Sequence, residues 1–136
     1  MKFLEFAELC ARLEKISGRL ETISVLSQTI ASLSKEDLPD FCRLIQGRPF
    51  PEWSGKKLGV GPNLLYEAVA YVTGRRREDV IDRLSRVGDA GAAVEELLSQ
   101  KSQTSFFTVE LTLADIMAAL IEISGMEGGR SQKEKV

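Results

Sequence analysis

Three stretches of this chain hold residue types that could do chemistry, and in each the chemistry would be binding. The first is "KKLGVGPN" (56–63), where Lys56 and Lys57 precede Gly59, Gly61 and Asn63. Glycine lets a backbone approach a ligand closely, and the first N–H groups of a helix attract phosphate. A plain turn leading into a helix uses the same residues. The second is "GRRRED" (74–79), three arginines in a row after a glycine. They fall at a helix start, where positive charge is unfavourable. The third is "GRSQKEKV" (129–136), which sets Arg130, Ser131, Lys133 and Lys135 around a Ser-x-x-Glu capping box. A fourth stretch, "QKSQTSFFTVEL" (100–111), poses a different question. Phe106 and Phe107 stand side by side after a polar run, and no helical period explains them. Such a pair either fills the core or is held out for a partner.

The residues an enzyme would need are missing. The chain has no histidine, which removes every His-based triad and most zinc sites. It has no P-loop, no G-x-S-x-G and no metal-ligand spacing. Its carboxylate pairs, at 36–37, 78–79 and 95–96, read as helix caps and solvated charges. The chain by itself is therefore read as non-catalytic. Its net charge is −2, so any anion-binding role must come from local patches or backbone donors. Cys10 and Cys42 lie in apolar helical patterns and read as unpaired, buried thiols. No apolar run approaches the ~20 residues that span a bilayer, and the amphipathic start "MKFLEFAELCARLEKI" is no signal peptide.

These stretches must be positioned by helices. With 136 residues, 43% of them apolar and 28% charged, the chain suits one globular domain with a real core. Phe3, Phe6, Leu9 and Leu13 have helical spacing and predict a first helix, ended by Gly18. Leu20, Ile23, Leu26, Ile30 and Leu33 predict a second. Ser34 and Asp37 form a relative of the capping box and open a third, which runs to Gly47. Residues 47–63 read as a loop for their prolines and glycines. Pro62 then opens a fourth helix, which Gly74 closes. A fifth covers about 77–87 and stops at Gly88. Asp89 caps a sixth, which reaches about Gln100, and Thr112 with Asp115 opens a seventh through about Ser124. The expectation is an all-α, compact multi-helix domain of about seven helices, with long irregular loops at 47–61 and 101–111. Ser131 and Glu134 announce a helix start just before Val136, which reads either as the first turn of something longer or as a frayed polar tail.

Taken in order, "FPEWSGKKLGVGPNLLYEAVAYVTG", "VGDAGAAVEELL", "SFFTVELTLADIMAALIEISG" and "RSQKEKV" resemble the N-terminal DNA-binding domain of ATP-dependent DNA ligases of the archaeal and eukaryotic replicative type. The likeness covers nearly the whole chain. It implies the first part of a helical domain, residues 1–136, that grips the minor groove of nicked duplex DNA without sequence specificity. The nucleotidyltransferase and OB domains are absent from it, and no Lys-x-Asp-Gly motif is present. It implies no cofactor for this piece, ATP and Mg2+ for the parent enzyme, and a cytoplasmic, nucleoid-associated place in an archaeon. It carries Gly59, Gly61 and Asn63 over as DNA contacts, with Lys56 and Lys57 as nearby charge, and Ser131 and Lys135 likewise. Arg130 stands where relatives often have glycine. The arginines at 75–77 have no counterpart and read as solvated surface; Trp53 reads as core. The likeness also suggests docking to a sliding clamp (PCNA). Gln100, Phe106 and Phe107 keep the spacing of Gln-x-x-hydrophobic-x-x-aromatic-aromatic, although Gln103 is polar at the fourth place. The shorter Gln103-x-x-Phe106-Phe107 resembles the clamp-binding element of archaeal ligases. The competing reading is a module that binds only the clamp, with negligible DNA binding.

Overall fold

The computed structural model describes residues 1–100 and 109–126. Among them run seven α-helices and no strand: α1 (Phe3–Glu14), α2 (Arg19–Ser32), α3 (Asp37–Ile45), α4 (Pro62–Thr73), α5 (Arg77–Val87), α6 (Ala90–Ser99) and α7 (Leu113–Gly125). The all-α expectation holds.

The ends of these helices follow local chemistry. At α3 the Ser34 hydroxyl accepts the Asp37 N–H at 3.1 Å and donates to the Asp37 carboxylate at 2.9 Å. At α6 the Asp89 carboxylate accepts the Ala92 N–H at 2.7 Å. At α7 the Thr112 hydroxyl accepts the Asp115 N–H, and the Asp115 carboxylate accepts from the Thr112 N–H and hydroxyl at 2.8 and 2.6 Å. Each arrangement satisfies N–H groups that a helix start leaves without partners. Pro62 occupies the first turn of α4, and Gly74 ends that helix at φ +68°, a left-handed conformation that costs other residues about 1 kcal/mol or more.

The chain divides into two compact units. The first comprises Met1–Leu58 and Val109–Ser124, so it is built from both ends of the described chain. Its core is Phe6, Phe41 and Leu113, with Phe3, Leu9, Leu26 and Leu44 packed around them. The Phe6 and Phe41 rings meet edge-on at 5.9 Å, a favoured aromatic geometry. A short antiparallel bridge, Lys2 to Thr112, ties the start of α1 to the start of α7. Phe3 N–H donates to the Leu111 carbonyl at 2.7 Å, and Leu113 N–H donates to the Met1 carbonyl at 3.2 Å. The Lys2 ammonium adds an ion pair with Glu110 at 2.7 Å, which holds the lysine above its ordinary pKa. The second unit holds α4, α5 and α6, packed around Val69, Val80 and Leu97. Val80 is fully buried there. Arg83 of α5 and Glu96 of α6 pair at the edge of this core.

Two sequence expectations need adjustment. Trp53 is not core: it is 89% exposed. It lies on a single 3-10 turn, Glu52–Ser54, inside the loop expected to be irregular. Three residues between Pro51 and a left-handed Gly55 are too short to fold the indole back onto a helix face. Cys10 and Cys42 are both free, as expected, but only half-buried. Burial pushes the Cys10 thiol's pKa up.

Two caps make the fold acid-sensitive. The α-amino group of Met1, 2.5 Å away, and the Ser34 hydroxyl hold Asp37 below the ordinary aspartate value of 3.8. Hydrogen bonds from Thr112 hold Asp115 below it too. A carboxylate depressed in the folded state stabilises it fully above the unfolded pKa, and that contribution is lost as pH falls through the folded value. The melting temperature should therefore be flat with respect to these groups from pH 7 to about 5 and fall below about pH 4. Thermal unfolding of the Asp37→Asn/Asp115→Asn variant should show a lower plateau and a shallower acid decline.

Candidate nucleic-acid interface

Lys56 and Lys57 come last but one in the first unit, just before Leu58. Both are exposed, and no described acidic group pairs with them. The backbone that carries them is held: Lys56 N–H donates to the Ser54 hydroxyl at 3.3 Å, and that hydroxyl donates to the Pro51 carbonyl at 2.7 Å. An open groove of about 430 Å³ runs beside them, lined by Arg48, Phe50, Glu52, Lys56 and Lys57. The arginine is spent on Glu52 at 2.7 Å, which leaves the two lysines as the free charge of this groove.

Gly59, Gly61 and Asn63 open the second unit. The two glycines have different reasons to be there. Gly59 sits at φ +64°, where a side chain is strained, so its identity follows from the turn. Gly61 sits at φ −93°, ψ 173°, which any residue adopts, and a Cβ built on it would meet nothing within 4 Å. Neither backbone strain nor packing against the described residues requires a glycine at 61. It is the N-cap of α4, and no side chain caps that helix start. With Pro62 lacking an N–H, the donors of the first turn are those of Asn63 and Leu64, and they lie at the positive end of the helix dipole. Such a start suits an anionic group that accepts hydrogen bonds, as a phosphate does.

Asn63 is tied to a residue the sequence reading set aside. Its side-chain oxygen accepts from the Arg77 guanidinium at 2.9 Å. Arg77 is half-buried, with its guanidinium 5.9 Å from the centre of the Tyr66 ring. Its Nε is buried without a hydrogen-bond partner. The expectation that the whole arginine run is solvated surface therefore fails at Arg77, which engages the Asn63 side-chain oxygen and leaves that side chain only its amide hydrogens to offer. Arg75 and Arg76 do stay exposed, Arg76 on Asp79 at 3.0 Å and Arg75 on Gln100 at 2.8 Å. No periodic signal marks Arg77 apart from its neighbours. Its place as first residue of α5, one helix over from Tyr66, is a tertiary fact.

Gln100, the first residue of the proposed clamp pattern, caps α6 and accepts from Arg75 through its side-chain oxygen. Gln103, Phe106 and Phe107 lie outside the described residues, as do Arg130, Ser131, Lys133 and Lys135. No helix among the described residues is long and apolar enough to cross a membrane.

Comparison with known proteins places this geometry in a family. The family model described as DNA ligase N terminus matches residues 2–136. A DNA ligase of Methanospirillum hungatei is 90% identical over 136 residues, all of this chain and 25% of the relative. DNA ligases of Methanosphaerula palustris and Archaeoglobus fulgidus are 51% and 37% identical, again over the whole of this chain. The chain spans about a quarter of the length of these relatives. Resemblance, fold and matched length agree, and the chain belongs to the DNA ligase N-terminal family.

Proposed function

We propose that this chain is the part of an ATP-dependent DNA ligase that grips nicked duplex DNA, through the minor groove and phosphate backbone and without sequence preference. The adenylating chemistry, with its ATP and Mg2+, belongs on this reading to the remaining three-quarters of the relatives' length. The observation that carries it is the uncapped start of α4, with a glycine at 61 that neither backbone angle nor packing against the described residues requires. In the first unit, separately, Lys56 and Lys57 are exposed and unpaired. Each of these serves an anionic backbone and none reads a base, so the grip is sequence-independent. Lys135 and Ser131, with Arg130 and Lys133, form the second contact segment on this reading. Sealing of nicks in replication and repair is the role that follows for the whole enzyme.

The same reading gives residues 100–107 a separate task, docking to a sliding clamp. Phe106 and Phe107 would fill an apolar pocket while Gln100 or Gln103 supplies hydrogen bonds. The support for this is the spacing in the sequence and the family likeness.

The affinity for a nicked duplex should fall with salt at a slope near −2.7 in log–log form, for about three phosphate contacts. Lys135→Ala should reduce that slope by about one and weaken binding equally for unrelated sequences; a sequence-selective loss would contradict the backbone grip. Gly61→Ala should melt like the wild type and bind the nicked duplex several-fold more weakly, because the added methyl meets the phosphate and not the protein. Unchanged affinity would remove Gly61 from the interface. Calorimetric titration into the cognate clamp should give binding that Phe106→Ala/Phe107→Ala abolishes while circular dichroism stays unchanged. A variant that melts early, from a wild type that never bound, would assign the pair to the core.

A further inference from the structure

Trp53 is the chain's sole tryptophan and, among the described residues, the most exposed large apolar side chain. Leaving an indole in water forfeits about 1.5–3 kcal/mol of available burial. The fold nevertheless presents it on a braced platform. Pro51 enters the 3-10 turn extended, and Ser54 N–H and hydroxyl both donate to the Pro51 carbonyl, at 3.0 and 2.7 Å. Gly55 leaves the turn at φ +65°, and the Arg48–Glu52 ion pair clamps the residue before the ring. A loop that merely tolerated an exposed tryptophan would not need this bracing. The braced ring precedes Lys56 and Lys57 by three and four residues, and both lysines are free.

We propose that Trp53 is itself a DNA contact: its ring packs against the sugars and base edges of the minor groove while Lys56 and Lys57 hold a flanking phosphate. This inference rests on the DNA-gripping reading and adds to it an apolar contact that neither charge nor backbone donors supply. The dimensions agree. The B-DNA minor groove is about 6 Å wide, and three residues of chain span at most about 10 Å. A ring in the groove therefore leaves both ammonium groups within reach of its phosphate wall. An aromatic ring beside cations suits the minor groove because the sugars that line it offer apolar surface next to the phosphates. The charge next to the ring favours DNA over a protein partner: an apolar docking pocket would leave two desolvated lysines without counter-charge.

The fluorescence of the wild-type chain reports on this one residue. Titration with a nicked duplex should blue-shift the emission and lower acrylamide quenching at least twofold. Trp53→Ala should weaken binding about tenfold, and Trp53→Phe should stay within about threefold of wild type. Both should melt like the wild type, since the residue is 89% exposed and so contributes little to the packing of the described residues. Suppose instead that salt-dependent binding persists while emission and quenching do not change and Trp53→Ala binds normally. The ring is then no DNA contact. A wild-type chain that binds no DNA at all removes the DNA-gripping reading and this inference with it.

Discussion

The first unit depends on one closure, the meeting of Leu113 with Phe6 and Phe41. Leu113 and Phe6 are more than a hundred residues apart in the chain, and all three side chains are buried. Bringing together the ends of an unstructured segment of that length costs on the order of 4 kcal/mol in chain entropy. Burial of the three side chains, at about 1.5–3 kcal/mol each, offsets it. The Lys2–Thr112 bridge sets the register at which they meet, since its two flanking hydrogen bonds place Leu113 beside the first turn of α1. Without the closure, α7 would expose an apolar face, and α1 and α3 would share a core of two aromatic rings.

One consequence is that α4, α5 and α6 form an insertion between the two halves of the first unit. They need a core of their own, and it is small: Val69, Val80 and Leu97 with a rim of half-buried neighbours. So modest a core leaves polar residues a share in fixing the three helices. Arg83 with Glu96 links α5 to α6, and Arg77 with Asn63 and Tyr66 links α5 to α4. The second of these links also orients Asn63 at the helix start through which the unit would meet a phosphate. In this unit the groups that secure the packing and those that aim the binding residue are partly the same.

The groups proposed to grip DNA sit in a chain of net negative charge. The proposal is consistent with that, because phosphate recognition at α4 would rely on the partial charge of a helix start and on close backbone approach. Both are local, and a distant surplus of carboxylates is screened within about 10 Å at ordinary salt. The braced turn at 52–54 follows the same economy: short-range hydrogen bonds and ring constraints of proline hold the exposed indole in place without a core beneath it.

The sequence by itself determined the helices, their order and most of their ends. Periodic apolar spacing and the capping residues Ser34, Asp89 and Thr112 act over three or four residues, so they are legible in the chain and recur in the fold. It also carried the family, through ordered motifs that need no coordinates. Tertiary structure decided what depends on distant neighbours. Trp53 looks like a core residue by type, and its place on a single 3-10 turn outside the helices leaves it in solvent. Arg75, Arg76 and Arg77 are identical in type and adjacent in sequence. Only the third has a tyrosine ring and an asparagine from another helix beside it. Gly59 and Gly61 cannot be told apart as letters either. Backbone angles make the first a need of the turn, while the second has an ordinary backbone angle and open space among the described residues. Local rules write helices; which face of each is covered, and by what, is set by contacts that sequence spacing does not encode.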